Sequence, residues 1–412
     1  MLDIAAVCLA VTALLAYVNH RFVGLPTTVG VMAIALVVSL GIVALDALGI
    51  AQTPRAIAED FLRSIDFSDV LLQGMLSLLL FAGAMHVKLS ELRSHWWQIA
   101  GLAVIGTLAS TLVVGFGIWS ALPLTGLALP LVYCLLFGAL ISPTDPVAVI
   151  GILKSADAPR ELEIVISGES LFNDGVGVVL FALLAGVAHS GTVPSPGAGA
   201  ALLLREAGGG LAFGWALGFV TYGLLRSIDQ YQVEVLLTLA AVIGGYALAA
   251  HLHISGPLAM VVAGVVVGDR GRAEAMSDTT RQYVDMFWEL IDEILNAVLF
   301  VLIGMEVLLL VFNATLLSAG AIAVAVTLAA RWLTVGAPVA ALHHVFHALP
   351  RGSWRVLTWG GLRGGISVAL ALSLPASPER GTVLALTYCV VVVSILVQGL
   401  TIGHVIRTLP RQ

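Results

Sequence analysis

The chain has 412 residues, of which 59% are hydrophobic and only 11% are charged, and its mean hydropathy is +1.03. These values exclude an ordinary water-soluble domain and indicate a protein that lies in a lipid bilayer. The formal net charge of −6, without any Lys/Arg-rich run, gives no reason to expect a nucleic-acid partner.

Apolar runs of about 18–25 residues recur along the chain, and this is the length that crosses a bilayer as a helix. We predict thirteen transmembrane helices, near 2–19, 25–45, 67–86, 97–120, 128–153, 163–188, 206–225, 233–250, 255–268, 287–311, 317–340, 356–374 and 382–406. The ninth run is short and the eleventh is blurred, so twelve and fourteen helices remain alternatives. The predicted fold class is an all-α polytopic membrane protein, a single transmembrane domain over 1–412 without a soluble regulatory domain.

Charges at the ends of the runs predict the orientation. The first run lacks a basic leading segment, and Asp3 lies where a signal peptide would carry positive charge, so we expect a retained helix. With the N-terminus outside, most of the nineteen Lys and Arg residues fall in cytoplasmic loops. This bias predicts an outside N-terminus and a cytoplasmic C-terminus.

The fifth run contains an acid, within Ser142-Pro-Thr-Asp-Pro146. A charge at bilayer depth is costly unless it faces a cavity or a partner, so Asp145 is a functional candidate. Pro143 and Pro146 interrupt the helical hydrogen bonds and leave carbonyl oxygens free. Together with the carboxylate and the Thr144 hydroxyl, they are ligands for a hard cation. A polar kink filled by water is the alternative.

The sixth run carries four polar side chains at helical spacing, Glu169, Ser170, Asn173 and Asp174. Ser170 is three residues before Asn173 and four before Asp174, so these side chains share one face. Oxygen atoms facing lipid would be costly, and we expect the strip to face the protein interior. A polar contact between helices without ion binding is the alternative.

The twelfth run is loosened by Gly360-Gly-Leu-Arg-Gly-Gly365. Arg363 keeps its charge and needs an acidic partner, for which Glu169 is the first candidate and Asp145 the second. An arginine that reaches the interface is the alternative. Because one interrupted helix falls in each half, we predict inverted repeats over about 1–190 and 230–412 that cross at mid-membrane.

These three motifs, in this order, resemble those of monovalent cation:proton antiporters, the sodium/proton exchanger superfamily. The resemblance implies a thirteen-helix fold with a mobile core and a dimerisation domain, and a homodimer in the bacterial inner membrane. It implies a structural Glu169–Arg363 ion pair. It also implies that Asp174 binds cation and proton alternately, helped by Asp145, Thr144, Ser170 and Asn173. One departure is Ala82, where related exchangers often carry an acid in the third helix.

The Asn173–Asp174 pair predicts the stoichiometry. Asn173 cannot titrate, so Asp174 alone takes either one proton or one cation, which gives one-for-one, electroneutral exchange; a second titration at Asp145 would change this. We expect Na⁺ at Asp174, Asp145, Thr144 and Ser170, with Li⁺ or K⁺ as alternatives, and no cofactor. The acids Glu289, Asp292 and Glu293 predict a solvated entrance or an electrostatic funnel.

Three other functional classes fit the sequence less well. A cation channel would line a pore, whereas these acids cluster at one depth and no carbonyl filter loop is present. A symporter needs further polar pocket residues. An intramembrane enzyme needs a His-Glu-x-x-His or nucleophile motif, which the sequence lacks.

Overall fold

The computed structural model describes residues 2–48, 56, 70–155, 158–192, 195–309, 313–342, 345–346 and 349–409. Within these ranges the secondary structure is helical and contains no β-strand. In chain order the helices are α1 Leu2–Val18, α2 Thr27–Ala47, α3 Leu76–Met85, α4 Leu89–Ser94, α5 Trp96–Thr125, α6 Leu131–Ile141, α7 Val147–Ser155, α8 Arg160–Ser190, α9 Gly197–Leu225, α10 Tyr231–His251, α11 Gly256–Val266, α12 Asp278–Glu306, α13 Ala314–Ala341, α14 Ser353–Trp359, α15 Gly365–Leu372 and α16 Pro378–Arg407.

Eight helices of the described residues are long and apolar enough to span a bilayer, and α3 and α6 are shorter apolar helices. Large apolar side chains on these helices face outward, as Leu14, Tyr17 and Val37 do. Outward apolar side chains are favourable only where lipid surrounds the helices. The chain is therefore a multi-pass membrane protein, while the count of thirteen spans stays a prediction.

Short polar caps and prolines set where the helices begin. The Ser255 hydroxyl accepts a hydrogen bond from the amide of Leu258 at the start of α11, and Asn313 Oδ1 accepts one from Leu316 at the start of α13. Pro159 immediately precedes α8 and Pro130 immediately precedes α6. Ser255 and Asn313 supply acceptors for amide groups that have no helical partner in the first turn. Pro130 and Pro159 carry no amide proton, so they need no such acceptor.

Two predicted spans are each divided into two helices. The span predicted at 128–153 forms α6 and α7, separated at 142–146, and the span at 356–374 forms α14 and α15, separated at 360–364. In the first, two prolines prevent a continuous helical ladder; in the second, four glycines lower the helical propensity. The interruptions predicted from sequence are thus confirmed at both places.

Two clusters of buried apolar side chains lie within the described residues. One includes Phe137 of α6, Phe300 of α12 and Tyr388 of α16. The other includes Phe81 of α3 and Trp288 of α12, whose rings lie 4.7 Å apart. Helix α12 contributes to both clusters, and a polar cavity lies beside it.

Candidate cation site

The two interrupted helices meet through their unwound backbones. The amide of Asp145 donates a hydrogen bond of 2.8 Å to the carbonyl oxygen of Leu362. Neither group has a helical partner at this point, so each satisfies the other inside the protein. The pairing holds Asp145 at the place where the two broken helices cross.

Arg363 closes the end of α6. Its guanidinium donates hydrogen bonds to the carbonyl oxygens of Ser142 and of Pro143, the second at 2.9 Å. Its own amide donates to the hydroxyl of Ser394 on α16 at 2.9 Å. The last carbonyls of a helix lack partners and carry partial negative charge, so a buried cation stabilises them.

The predicted ion pair between Glu169 and Arg363 is wrong, because Glu169 pairs with Arg331 of α13. Both carboxylate oxygens of Glu169 accept hydrogen bonds from the Arg331 guanidinium, and the second of these is 3.0 Å. Arg331 Nε also donates to the carbonyl of Leu357 at 3.1 Å. The physical reason is that the Arg363 guanidinium is engaged with the carbonyls at the end of α6.

The carboxylate of Asp145 begins the second half of the broken helix. Its Oδ1 accepts a hydrogen bond of 3.0 Å from the amide of Val147, the first residue of α7. Gly364 approaches the same carboxylate so closely that a Cβ there would lie 2.6 Å from the Cβ of Asp145. Glycine at this position therefore leaves room for the acid at the crossing.

Thr144 connects the first unwound segment to α8. Ser170 Oγ donates to the Thr144 carbonyl, and Asn173 Nδ2 donates to the Thr144 hydroxyl at 2.9 Å. The Thr144 amide in turn donates to Asn173 Oδ1 at 3.2 Å. Both polar atoms of the Asn173 side chain are thus used to position Thr144.

A cavity of about 630 Å³ joins four of the five predicted cation-site residues. Thr144, Asp145, Ser170 and Asp174 all line it. Its lining continues to the exposed side chains of Lys88 and Arg160 at the protein surface. Two acids and two hydroxyl-bearing side chains therefore share one polar space that is continuous with an exposed charged surface.

Asp292 of α12 lines the same cavity, and its Oδ1 accepts a hydrogen bond of 3.1 Å from Asn296. The sequence analysis assigns it, with Glu289 and Glu293, to an entrance. All three acids line the cavity, but Asp292 is only partly exposed, whereas Glu293 is exposed. Asp292 is four residues before Asn296, so both side chains lie on one face of α12. This spacing is the sequence feature that could have placed Asp292 deeper than Glu293.

A family model described as "Sodium/hydrogen exchanger, transmembrane" matches residues 10–408, nearly the whole chain. The chain belongs to the sodium/hydrogen exchanger family. The resemblance inferred from the three motifs is thereby confirmed.

Two antiporters from other organisms are similar to this chain over most of their length. The Na⁺/H⁺ antiporter NhaP of Pseudomonas aeruginosa is 55% identical over 410 residues, which are 99% of this chain and 96% of that protein. The Na⁺/H⁺ antiporter NhaH of Halobacillus dabanensis is 35% identical over 379 residues, covering 88% of this chain and 89% of that protein.

A solved structure shares the fold. The sodium proton antiporter MjNhaP1 from Methanocaldococcus jannaschii, in its structure at pH 8, superposes with a TM-score of 0.74 at 19% identity, covering 98% of this chain and 97% of that one. At this identity the likeness concerns the fold alone. It confirms the predicted class, an all-α polytopic membrane protein.

Ala82 is a small apolar residue near the site, at the position where related exchangers often carry an acid. Ala82 is fully buried in α3, whereas its neighbours Leu79 and Gly83 line the polar cavity. The Ala82 carbonyl is within 2.8 Å of His86 Nδ1, one turn along the helix. This position therefore contributes no carboxylate, and the acids of the cavity wall near the crossing are Asp145, Asp174 and Asp292.

Proposed function

We propose that this chain is a secondary active antiporter that exchanges H⁺ for a monovalent cation, with Na⁺ as the first candidate. The observation that carries the proposal is the convergence of Asp145, Asp174, Thr144 and Ser170 on one cavity beside two interrupted helices. A K⁺ preference is the nearest alternative, because the ligand types suit either ion.

Oxygen ligands from three segments would hold the cation. Asp174 supplies a carboxylate from α8, and Asp145 supplies its Oδ2 from the crossing, since its Oδ1 accepts from Val147. The Thr144 and Ser170 hydroxyl oxygens add neutral ligands to the same cavity wall. Asn173 acts as a positioning residue, because its amide holds Thr144.

The exchange follows from competition for Asp174. Removal from bulk water favours the protonated, neutral carboxyl group, while a nearby cation favours the carboxylate. Protonated Asp174 and Na⁺-loaded Asp174 carry the same net charge. If Asp145 keeps one protonation state throughout, each turnover moves one proton against one Na⁺ and is electroneutral.

Alternating access would move the loaded site between the two sides of the membrane. Lys88 and Arg160 at the cavity mouth belong to loops that the charge bias predicts to be cytoplasmic, so the cavity would open inward. The proposed assembly is a homodimer in the inner membrane, with the N-terminus outside and two inverted repeats.

Proteoliposomes with an acidic interior test the proposal. Adding Na⁺, Li⁺ or K⁺ outside should dissipate the pH gradient without developing a membrane potential, and the fastest cation identifies the substrate. Asp174→Asn is the matched inactive control. A gradient insensitive to all three cations would contradict antiport, and dissipation that requires a potential clamp would contradict one-for-one, electroneutral exchange. Dissipation that a potential clamp abolishes would indicate a channel.

A further inference from the structure

A second cavity, of about 960 Å³, lies along the opposite face of α8 from the acids. We call it the lateral groove; its walls come from α5, α8, α9 and α11 and include Trp96, Leu108, Phe172, Val176, Leu211 and Trp215. Ser170 and Asp174 line the polar cavity, whereas Phe172 and Val176 line the groove, as the helical period requires. Its volume is near the top of the range of about 300–1,000 Å³ for ligand sites.

One end of the lateral groove carries positive charge. Among the described residues that line it, the charged ones are Arg93, Asp269 and Arg270, all at this end. Asp269 Oδ1 accepts a hydrogen bond of 3.2 Å from the amide of Leu89, so this acid is engaged with backbone. The Arg270 guanidinium lies 5.0 Å from the ring centroid of Phe219, and both arginines are exposed. The end is therefore suited to an anion.

The groove extends from this end toward the middle of the membrane. On α5 its lining runs from Trp96 to Leu108, and on α9 from Phe219 back to Ala200. At 1.5 Å per residue these stretches are roughly 18 Å and 28 Å long. Half of a hydrocarbon core about 30 Å thick is about 15 Å. The groove is therefore deep enough for the acyl chains of one leaflet, with its arginines at the head-group level.

We propose that the lateral groove binds one anionic phospholipid of this leaflet. Its phosphate lies between Arg93 and Arg270, and its acyl chains lie against Phe172, Val176 and Trp215. Basic pockets between transmembrane helices recognise anionic head groups, and guanidinium groups pair well with phosphate. Zwitterionic lipid would fill the apolar part equally well, but it lacks the net negative charge that two arginines and one engaged acid favour.

The lipid would contact both sides of the transport machinery. Helix α8 carries Ser170 and Asp174 on its other face, and α9 with α11 forms the opposite wall of the groove. Binding itself does not depend on the proposed function. If α8 moves against α9 and α11 during exchange, which rests on that function, the bound lipid changes the exchange rate.

The binding test uses the purified full chain in detergent after removal of native lipid. Dioleoyl phosphatidylglycerol should raise Tm progressively with the logarithm of its concentration above Kd, because a ligand that binds only the folded state stabilises it, and dioleoyl phosphatidylcholine should raise it less. Arg93→Gln/Arg270→Gln should abolish the difference between the two lipids. Lipid retained per chain after gel filtration, counted by mass spectrometry, should fall in parallel.

Arg351→Gln/Arg355→Gln is the matched control. Both arginines are exposed, and Arg355 stacks on Trp354 at 5.5 Å as Arg270 does on Phe219, yet neither lines the groove. This control should keep the full response to phosphatidylglycerol. An equal response of wild type to both lipids, or a full response in Arg93→Gln/Arg270→Gln, would overturn the proposal.

A variant without any charge change tests the apolar part. A Cβ built at Gly208 meets no atom within 4 Å, and Gly208 lines the groove, so the side chain of Gly208→Phe should occupy space in the groove. This variant should fold, keep its arginines and lose most retained phosphatidylglycerol. Unchanged retention in a folded Gly208→Phe chain would also overturn the proposal, and neither result depends on transport activity.

Discussion

Glu169 and Arg331 form a buried two-point ion pair that joins α8 to α13. Both side chains are almost fully inaccessible, so each charge depends on the other. Helix α8 also carries the proposed cation ligands Ser170 and Asp174. The pair therefore fixes the helix on which the site is built.

Breaking this pair should destabilise the protein strongly. Glu169→Gln and Arg331→Met each leave a buried charge without its partner, which costs about 3–5 kcal/mol. The double variant should be clearly more stable than the sum of the two losses predicts, because it leaves neither charge unpaired. Thermal unfolding in detergent measures all three; strictly additive losses would contradict the pair.

Arg363 should be coupled to Glu169 much more weakly than Arg331 is. Arg363→Gln removes the donors to the carbonyls of Ser142 and Pro143, and an unsatisfied buried acceptor costs about 1–3 kcal/mol. The losses in Arg363→Gln and Glu169→Gln should therefore add nearly completely. A coupling energy as large as that of the Arg331 pair would instead support the pairing expected from sequence.

Gly364→Ala should stop transport in a folded protein. The new Cβ would lie 2.6 Å from the Cβ and 2.7 Å from the Cγ of Asp145, so the carboxylate must shift at the crossing. The backbone φ of −125° at Gly364 is accessible to alanine, so the effect is steric alone. Cation-dependent dissipation of a pH gradient in proteoliposomes is the measurement.

Gly381→Ala is the control for this substitution, because a Cβ there meets no atom within 4 Å. It should transport at the wild-type rate. Full transport by Gly364→Ala would show that the tight contact with Asp145 has no role in the site.

The rate of exchange should depend on pH, because H⁺ and Na⁺ compete for Asp174. If H⁺ and Na⁺ share Asp174, the apparent KM for Na⁺ should rise about tenfold per unit fall in pH on the acidic side, since each tenfold rise in proton concentration needs a matching rise in Na⁺. At alkaline pH the KM should become constant. Initial rates at several fixed pH values, equal on both sides, measure this; a pH-independent KM would exclude a shared carboxylate.

The sequence predicted which residues meet at the polar cavity better than it predicted the contacts between them. Asp145 and Asp174 stand out because carboxylates are rare in apolar runs, and the prolines and glycines beside them indicate interrupted helices. The partner of Glu169 could not be predicted, because Arg331 and Arg363 both lie in apolar runs and helical periodicity carries no distance between separate helices. The hydrogen bond from Asp145 to Leu362 joins backbone atoms, which leave no residue-specific signal.

The lateral groove was invisible to sequence for the same reason. Phe172 and Trp215 lie in two separate apolar runs of the sequence, and only their arrangement on neighbouring helices makes a concave surface. Arg93 and Arg270 lie far apart in the sequence, each between two predicted helices. Their common position at one end of the groove requires the tertiary fold.

The most direct test of the central claim is the number of protons released when Na⁺ binds to the purified protein. Calorimetric titrations at acidic pH, in buffers of different ionisation enthalpy, give this number without transport or vesicles. We predict close to one proton released per Na⁺ bound, and no Na⁺ binding by Asp174→Asn. Na⁺ binding without proton release, or unchanged binding by a folded Asp174→Asn chain, would contradict a single carboxylate shared by the two ions.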